Sequence, residues 1–114
     1  MSVNIYDTAN QMEEEIRKTD EYQELKKAFK AVQNDEEANK MYKEFQGIQS
    51  TLQKKQMNGE SLSDDEMKKF HDVANKIEEV DLIKELMDKE RRLNQLFSDI
   101  NQIIIKPIQD LYNN

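Results

Sequence analysis

Apolar residues recur every three or four positions along almost the whole chain, which is the period of an α-helix. The 114 residues include two Gly and one Pro, and so few turn-forming residues cannot supply the reversals of a β-sandwich or barrel. Residue types that favour helix, chiefly Glu, Lys, Gln, Leu, Ala and Met, dominate the remainder. The sequence therefore predicts an all-α fold, organised as a single helical-bundle domain over residues 1–114.

The apolar period divides into five helical segments separated by capping residues. We expect an antiparallel bundle of about five helices, of which the third and fifth are long. Asn, Thr, Asp and Ser side chains accept hydrogen bonds from the free amides of a first helical turn, and the expected N-caps are Asn4, Thr19, Asp35, Ser63 and Asp81. The segments are 5–18, 20–33, 36–57, 64–80 and 82–105, followed by a short amphipathic tail at 108–112.

Three helix boundaries have the clearest signals in the sequence. Ser63 and Glu66 have the spacing of a capping box, in which each side chain meets the other residue's backbone amide. Gly59 suits the left-handed position that commonly ends a helix. Pro107 disfavours helix at the residue before it, so the fifth helix is expected to end there.

The long helices predict self-association. The third segment would span roughly 33 Å, whereas a domain of this size has a radius of gyration of roughly 13 Å. Its apolar stripe has the spacing of a coiled-coil heptad, and the end of the fifth helix is apolar on more than one face. A helix that is apolar nearly all round is normally buried, so we expect a homodimer. The candidate dimer or packing seam comprises Phe45, Gly47, Ile48, Leu52, Ile100 and Ile104.

Gly47 lies inside the predicted third helix, where glycine costs about 1 kcal/mol relative to Ala. Two interpretations stay open at this position. Either the glycine is a neutral substitution that the helix tolerates, or it permits two helices to approach closely beside Phe45 and Ile48.

The sequence predicts no catalytic, cofactor-binding or metal site. The chain has no Cys and one His, and His71 has neither a nucleophile motif nor the Glu-x-x-His spacing of di-iron bundles around it. No phosphate-binding loop or dinucleotide fingerprint is present. We therefore expect a non-enzyme that works without a cofactor.

Net charge and hydropathy limit the classes of partner that the protein is expected to bind. The formal net charge is −7, and an acidic chain repels phosphate backbones, so direct nucleic-acid binding is not expected. The longest apolar run has three residues, Ile103 to Ile105, which is far too short to cross a membrane. No secretory signal pattern opens the sequence, and a cytoplasmic protein is the simplest expectation.

Several stretches carry a resemblance to a known family. They are NIYDTANQMEEEIR (4–17), MYKEFQ (41–46), QKKQMNGE (53–60), DLIKELMDKERRL (81–93) and DINQIIIKPIQDLY (99–112). Together they resemble the YheA branch of the YlbF/YmcA family of small helical proteins from Gram-positive bacteria. The resemblance implies a helical-bundle dimer in the cytoplasm. It also implies a regulatory adaptor, because better-studied relatives control competence, sporulation and biofilm formation through assemblies linked to RNase Y and mRNA processing.

One feature of those relatives does not transfer. Their assemblies are associated with cysteine-ligated iron–sulfur clusters, and this chain has no Cys. Membership in the same complex therefore does not follow from the resemblance.

Two functional hypotheses remain from the sequence. The first is an adaptor whose protein partner is a family relative or an RNase Y-linked assembly. The second is a self-assembling structural or chaperone-like coiled-coil protein, suggested by the heptad stripe. Loops and termini carry recognition more freely than packed stripes, so the candidate partner-facing residues are Gln56, Met57, Lys106 and Tyr112.

Overall fold

The computed structural model describes residues 4–113, which form helices and short connections without any strand. The all-α prediction is confirmed, and the bounds of the first three helices agree with the predicted ones to within one residue. The six helices found in this range are α1 (Ile5–Arg17), α2 (Asp20–Asn34), α3 (Glu36–Met57), α4 (Asp64–Ile77), α5 (Asp81–Ile104) and α6 (Lys106–Tyr112).

Side-chain caps begin α1, α2 and α3 where the sequence places them. In each case a side-chain oxygen accepts a hydrogen bond from the backbone N–H three residues later. The distances are 3.3 Å at Asn4, 3.2 Å at Thr19 and 2.9 Å at Asp35. These bonds satisfy amides that have no partner inside the helix, and so the chain breaks between α1 and α2 instead of continuing as one helix.

The start of α4 is a complete capping box. The Glu66 amide donates to the Ser63 hydroxyl at 3.2 Å, and the Ser63 amide donates to the Glu66 carboxylate at 3.1 Å. Two amides of the helix start are thereby satisfied by reciprocal bonds, as the sequence predicts.

The end of α3 is fixed by Gly59, whose φ of +72° lies in the left-handed region. The Glu60 amide donates to the Lys55 carbonyl at 2.8 Å, and the Gly59 amide donates to the Gln56 carbonyl at 3.2 Å. This pair of bonds is the Schellman motif. It reverses the chain within the few residues that separate α3 from α4.

The predicted boundary between the fourth and fifth helices is wrong by a few residues. Helix α4 ends at Ile77, and Asp81 is the first residue of α5, not its cap. The Val80 carbonyl accepts from the Ile83 and Lys84 amides at 3.1 and 3.0 Å, so Val80 occupies the capping position. The Asp81 carboxylate lies in the first turn, where the helix dipole favours negative charge.

The tail after Pro107 is also longer than predicted. A sixth helix begins at Lys106, so Pro107 lies inside its first turn. Proline is accepted there because the N–H that it lacks would have no partner within the helix. The restriction that proline imposes on Lys106 did not prevent helix, and five expected helices became six.

Contacts among the described residues group the chain into two compact units. The first unit consists of the residues up to Lys27 together with those from Asp88 onward. The second unit spans Ala28–Met87. The single-domain organisation expected from the sequence stays a prediction.

The second unit contains most of the buried apolar side chains. Ile83 and Leu86 are fully buried, and burying a side chain of this size stabilises the fold by roughly 1.5–3 kcal/mol. Its core draws on four helices and comprises Ala28, Val32, Ala38, Tyr42, Phe45, Val73, Ile77, Ile83 and Leu86.

The first unit buries much less apolar surface. Leu93 is its one buried hydrophobic residue within the described range, and neither α1 nor α6 has a buried residue. The Glu24 carboxylate of α2 lies 3.2 Å from Lys89 Nζ and 3.8 Å from Arg92 Nη1 of α5. Such partly exposed ion pairs typically contribute up to about 1 kcal/mol each, so this unit is only lightly stabilised from within.

We predict that Ser63→Ala lowers the free energy of unfolding by about 1 kcal/mol, because the α4 start loses its capping hydroxyl. Urea unfolding followed by far-UV circular dichroism measures the change. Ser61→Ala is the matched control, since Ser61 is exposed and lies outside the helix. Equal urea midpoints for the two variants would contradict a stabilising role for the capping box.

Candidate functional site

Helices α3 and α4 of the second unit flank a cavity of about 340 Å³ that is open to solvent. Ile48, Leu52, Leu62 and Phe70 supply apolar walls. The polar part of the lining consists of Glu44, Gly47, Thr51, Glu66 and Lys69. A cavity of this size and character falls within the range of ligand-binding clefts.

The predicted seam of α3 packs first against its own chain. The Phe45 ring is buried and stacks on the Phe70 ring of α4, with centroids 6.1 Å apart and planes inclined by 27°. Ile48 and Leu52 are half-buried and line the cavity. The heptad pattern of α3 therefore serves an antiparallel helix pair inside the second unit. A dimer role for these residues stays a prediction.

Gly47 faces open space within this chain. A Cβ atom placed on it would meet nothing within 4 Å, so no helix of the described chain approaches it closely. The Thr51 hydroxyl donates to the Gly47 carbonyl at 3.1 Å. Close helix approach at this glycine could therefore arise only from another molecule.

The Glu66 carboxylate links α4 to α3 near the turn that joins the two helices. It pairs with the Lys55 ammonium of α3 while accepting from the Ser63 amide. The hydrogen bond from Lys55, followed by those from the Ser63 backbone and hydroxyl, lowers the pKa of Glu66 from 4.5 to about 2. The carboxylate consequently stays ionised at neutral pH and ties α4 to the end of α3.

Helix α5 carries an apolar stripe, interrupted at Glu90, that the sequence prediction did not separate from the other apolar residues of this helix. The spacing alternates three and four, which is the heptad period, with Glu90 at one intervening position. Burial ends partway along the stripe. Its members are Ile83, Leu86, Leu93, Phe97, Ile100 and Ile104. The exposed fraction is 0% at Ile83 and Leu86, 9% at Leu93, 45% at Phe97 and 59% at Ile104.

The more exposed half of this stripe lines a shallow groove of about 470 Å³ in the first unit. The predicted seam residues Ile100 and Ile104 both lie in it. Its lining alternates apolar and small polar side chains: Asn94, Phe97, Ser98, Ile100, Asn101 and Ile104. We name the segment 94–105 the α5 end segment.

Helix α6 extends the exposed apolar surface of the first unit. Ile108, Leu111 and Tyr112 are 62, 69 and 81% exposed. Of the predicted partner-facing residues, Lys106 and Tyr112 belong to this helix and are exposed. Gln56 and Met57 are exposed at the end of α3 in the other unit. Exposure makes all four accessible, and their partner-facing role stays a prediction.

The described residues hold no cluster of metal-ligand type. Within residues 4–113 no group of three or more His, Cys, Asp or Glu side chains lies close enough to hold a metal ion. His71 is exposed, and its ring meets Phe70 edge-on at 6.0 Å.

In the same range, every helix is too short or too polar to cross a bilayer.

We predict opposite effects for alanine at the two glycines. Gly47→Ala should raise the free energy of unfolding by about 1 kcal/mol, because a helix interior gains from losing glycine and the site has room for the methyl group. Gly59→Ala should lower it by a similar amount, because its φ of +72° disfavours a Cβ atom. Urea denaturation measures both. A loss of stability in Gly47→Ala at dimer-forming concentrations would indicate close helix approach between copies.

We predict that Lys55→Met raises the pKa of Glu66 toward its ordinary value of 4.5, because the strongest hydrogen bond to the carboxylate is lost. NMR titration of the Glu66 side-chain carboxyl carbon measures this directly. The neighbouring Lys54→Met is the control and should leave the pKa of Glu66 near 2.

The same shift has a consequence for acid stability. Because the folded pKa of Glu66 lies below 4.5, its stabilisation is complete above that pH and is lost as the pH falls through about 2. An unchanged pKa of Glu66 in Lys55→Met would refute the assigned cause.

Sequence comparison identifies full-length relatives. A family model described as control of competence regulator ComK, YlbF/YmcA, matches residues 5–109. The UPF0342 protein of Pediococcus pentosaceus is 63% identical, and that of Lactiplantibacillus plantarum is 56% identical. Each alignment covers all of both chains.

Solved structures of similar fold extend the comparison. A protein of unknown function (DUF964) from Bacillus stearothermophilus has a TM-score of 0.88 at 28% identity, covering 98% of each chain. The yheA protein from Bacillus subtilis has a TM-score of 0.75 at 27% identity, covering 96% of this chain and all of that one. Bacillus subtilis RicA, solved in complex with RicF, shares the fold with a TM-score of 0.70 at 19% identity, covering 98% and 99%. With its helical fold and a family match over residues 5–109, this chain belongs to the YlbF/YmcA family and is similar to YheA.

Proposed function

We propose that this protein is a non-catalytic regulatory adaptor that acts through protein–protein contacts. The observation that carries the proposal is the exposed apolar surface of the first unit. Large apolar side chains occur on the α5 end segment and α6, and those at Ile103, Ile108 and Leu111 are 60–69% exposed. Exposed large apolar side chains concentrated in one part of a protein typically mark a binding site for another protein.

The family relationship supports the same function. The description of the matching family model is control of a competence regulator. A protein of the same fold, RicA, was solved in complex with RicF. We propose that the partner of this chain is likewise a protein, namely a family relative or an RNase Y-linked assembly. A cytoplasmic homodimer without a cofactor is the form in which we propose that it acts.

Charge argues against nucleic acid as the direct ligand. A chain with a net charge of −7 repels phosphate groups, and binding to a nucleic-acid backbone depends on excess Lys and Arg. A link to mRNA processing would therefore run through a protein partner.

One observation favours a second candidate function, a self-assembling structural or chaperone-like coiled-coil protein. The α5 stripe keeps a heptad period from Ile83 to Ile104, which is the pattern of coiled-coil assembly. That function predicts oligomers larger than a dimer or suppression of client aggregation, whereas an adaptor predicts a stable complex with a different protein.

We predict that the tagged protein recovers RNase Y or a YlbF/YmcA relative from native lysate of its own bacterium, with or without ribonuclease treatment. Mass spectrometry identifies the recovered proteins, and insensitivity to ribonuclease shows that RNA is not the bridge. Recovery of this chain alone would contradict the adaptor function.

A matched pair of variants on α6 then locates the contact in the purified complex. Leu111→Ser removes an exposed apolar side chain and should weaken binding at least tenfold, about 1.4 kcal/mol. Gln109→Ser changes a polar residue of the same helix and should not weaken it. Isothermal titration measures both affinities.

A further inference from the structure

We propose that Asn58 is a site of spontaneous deamidation, and that the side-chain link between α3 and α4 restrains its rate. Asn58 is the one asparagine of the chain that a glycine follows. It caps the end of α3 and is exposed. The reaction takes water as its co-reactant and needs no enzyme. Its product changes the turn between α3 and α4, directly beside the predicted partner-facing residues Gln56 and Met57.

In this reaction the backbone attacks its own side chain. The backbone nitrogen of Gly59 bonds to Cγ of Asn58, and the side-chain nitrogen leaves as ammonia together with the proton that the backbone nitrogen loses. Water then opens the resulting succinimide ring at one of its carbonyls. Hydrolysis at one carbonyl gives aspartate, and hydrolysis at the other gives isoaspartate, in which the main chain runs through Cβ. Either product has a negative charge that asparagine lacks.

Local sequence and helix placement both single out Asn58. Gly59 has no Cβ atom to crowd its nitrogen, and glycine allows its backbone to approach other groups closely. Ring closure also requires a ψ angle outside the helical region, so asparagines within helices are disfavoured. Those asparagines are Asn10, Asn34, Asn39, Asn75, Asn94 and Asn101.

The closed turn restrains the reaction at Asn58. Its ψ angle is 1°, so the Gly59 nitrogen is eclipsed with the Asn58 nitrogen and not with Cβ. Ring closure therefore requires rotation about the Cα–C bond. The Gly59 amide also donates to the Gln56 carbonyl at 3.2 Å, and the attacking nitrogen must lose that proton. The reaction consequently proceeds from an opened turn.

Opening of this turn is a local event. Residues 56–61 are all exposed, and the nearest buried side chains of α3 and α4 along the chain are Phe45 and Val73. Exposed segments of this kind open at a much lower free energy than the whole fold requires. The Lys55–Glu66 pair spans the turn and holds α3 to α4. Its loss should therefore raise the population of the opened turn and the rate of deamidation.

Deamidation should loosen the end of α3 irreversibly. A negative charge at a helix C-terminus opposes the macrodipole, and the altered main chain of isoaspartate changes the spacing on which the Schellman bonds depend. Anion exchange separates the modified chain from the unmodified chain by charge. We expect the modified chain to unfold at a lower urea concentration.

Incubation of the full-length wild-type chain in heavy-oxygen water, at neutral pH and physiological temperature, tests the site. The protein is then digested in ordinary water and its peptides are analysed by mass spectrometry, so that conversion during digestion carries no label. Asn58 should be converted at least tenfold faster than any asparagine within a helix, with heavy oxygen in both the aspartate and the isoaspartate product. Conversion of Asn58 no faster than that of the helical asparagines overturns the proposal.

Two charge-matched variants test the restraint. Lys55→Met removes the pair with Glu66, whereas Lys54→Met removes the ammonium group of an exposed neighbour. Labelled conversion of Asn58 should be at least twofold faster in Lys55→Met than in Lys54→Met. Far-UV circular dichroism verifies that both variants keep the wild-type helix content. Equal rates in the two variants overturn the α3–α4 link as the restraint.

The unfolded chain supplies the unrestrained rate. In guanidinium chloride at the same pH and temperature, the turn is open in every molecule, and Asn58 of the wild-type chain should be converted faster than in the folded protein or in either variant. A folded wild-type chain that reacts as fast as the unfolded one overturns the restraint by the turn.

Discussion

Each helix in this chain has a narrow apolar stripe, and a helix of this length persists in water only when its stripe is covered by packing. With 36% of residues apolar and 36% charged, the chain has little apolar surface to distribute among the six helices that residues 4–113 form. The second unit uses most of it. Buried apolar side chains of α2, α3, α4 and α5 lie in this unit, and Ile83 and Leu86 are fully buried.

The antiparallel pair of α3 and α4 shows how local chemistry and packing act together. Gly59 reverses the chain, the Ser63–Glu66 box starts the next helix, and Lys55 ties the Glu66 carboxylate back to the first. The Phe45–Phe70 stack then closes the pair further along. The cavity lies between these two contacts, and Gly47, Ile48 and Leu52 are part of its α3 lining.

The first unit shows the opposite situation. It contains one buried hydrophobic residue in the described range, Leu93, together with ion pairs around Glu24 that are partly exposed. Its apolar side chains remain on the surface, along the α5 end segment and α6. Such surface is costly in water unless something covers it. The proposed homodimer and the proposed adaptor function would each provide a cover.

The sequence by itself determined the helices, because helix starts and stops depend on neighbouring residues. Asn4, Thr19, Asp35, Ser63 and Gly59 act within a few positions of themselves, and their roles were predictable. Asp81 and Pro107 misled the prediction, because the backbone carbonyl of Val80 accepts the first bonds of α5 without a side-chain cap and a first turn tolerates proline. Only the tertiary structure decided which stripes are covered. Phe45 and Ile104 both belong to heptad patterns, yet one is buried and the other is 59% exposed. The difference lies in what packs against each, and periodicity along one chain does not contain that information.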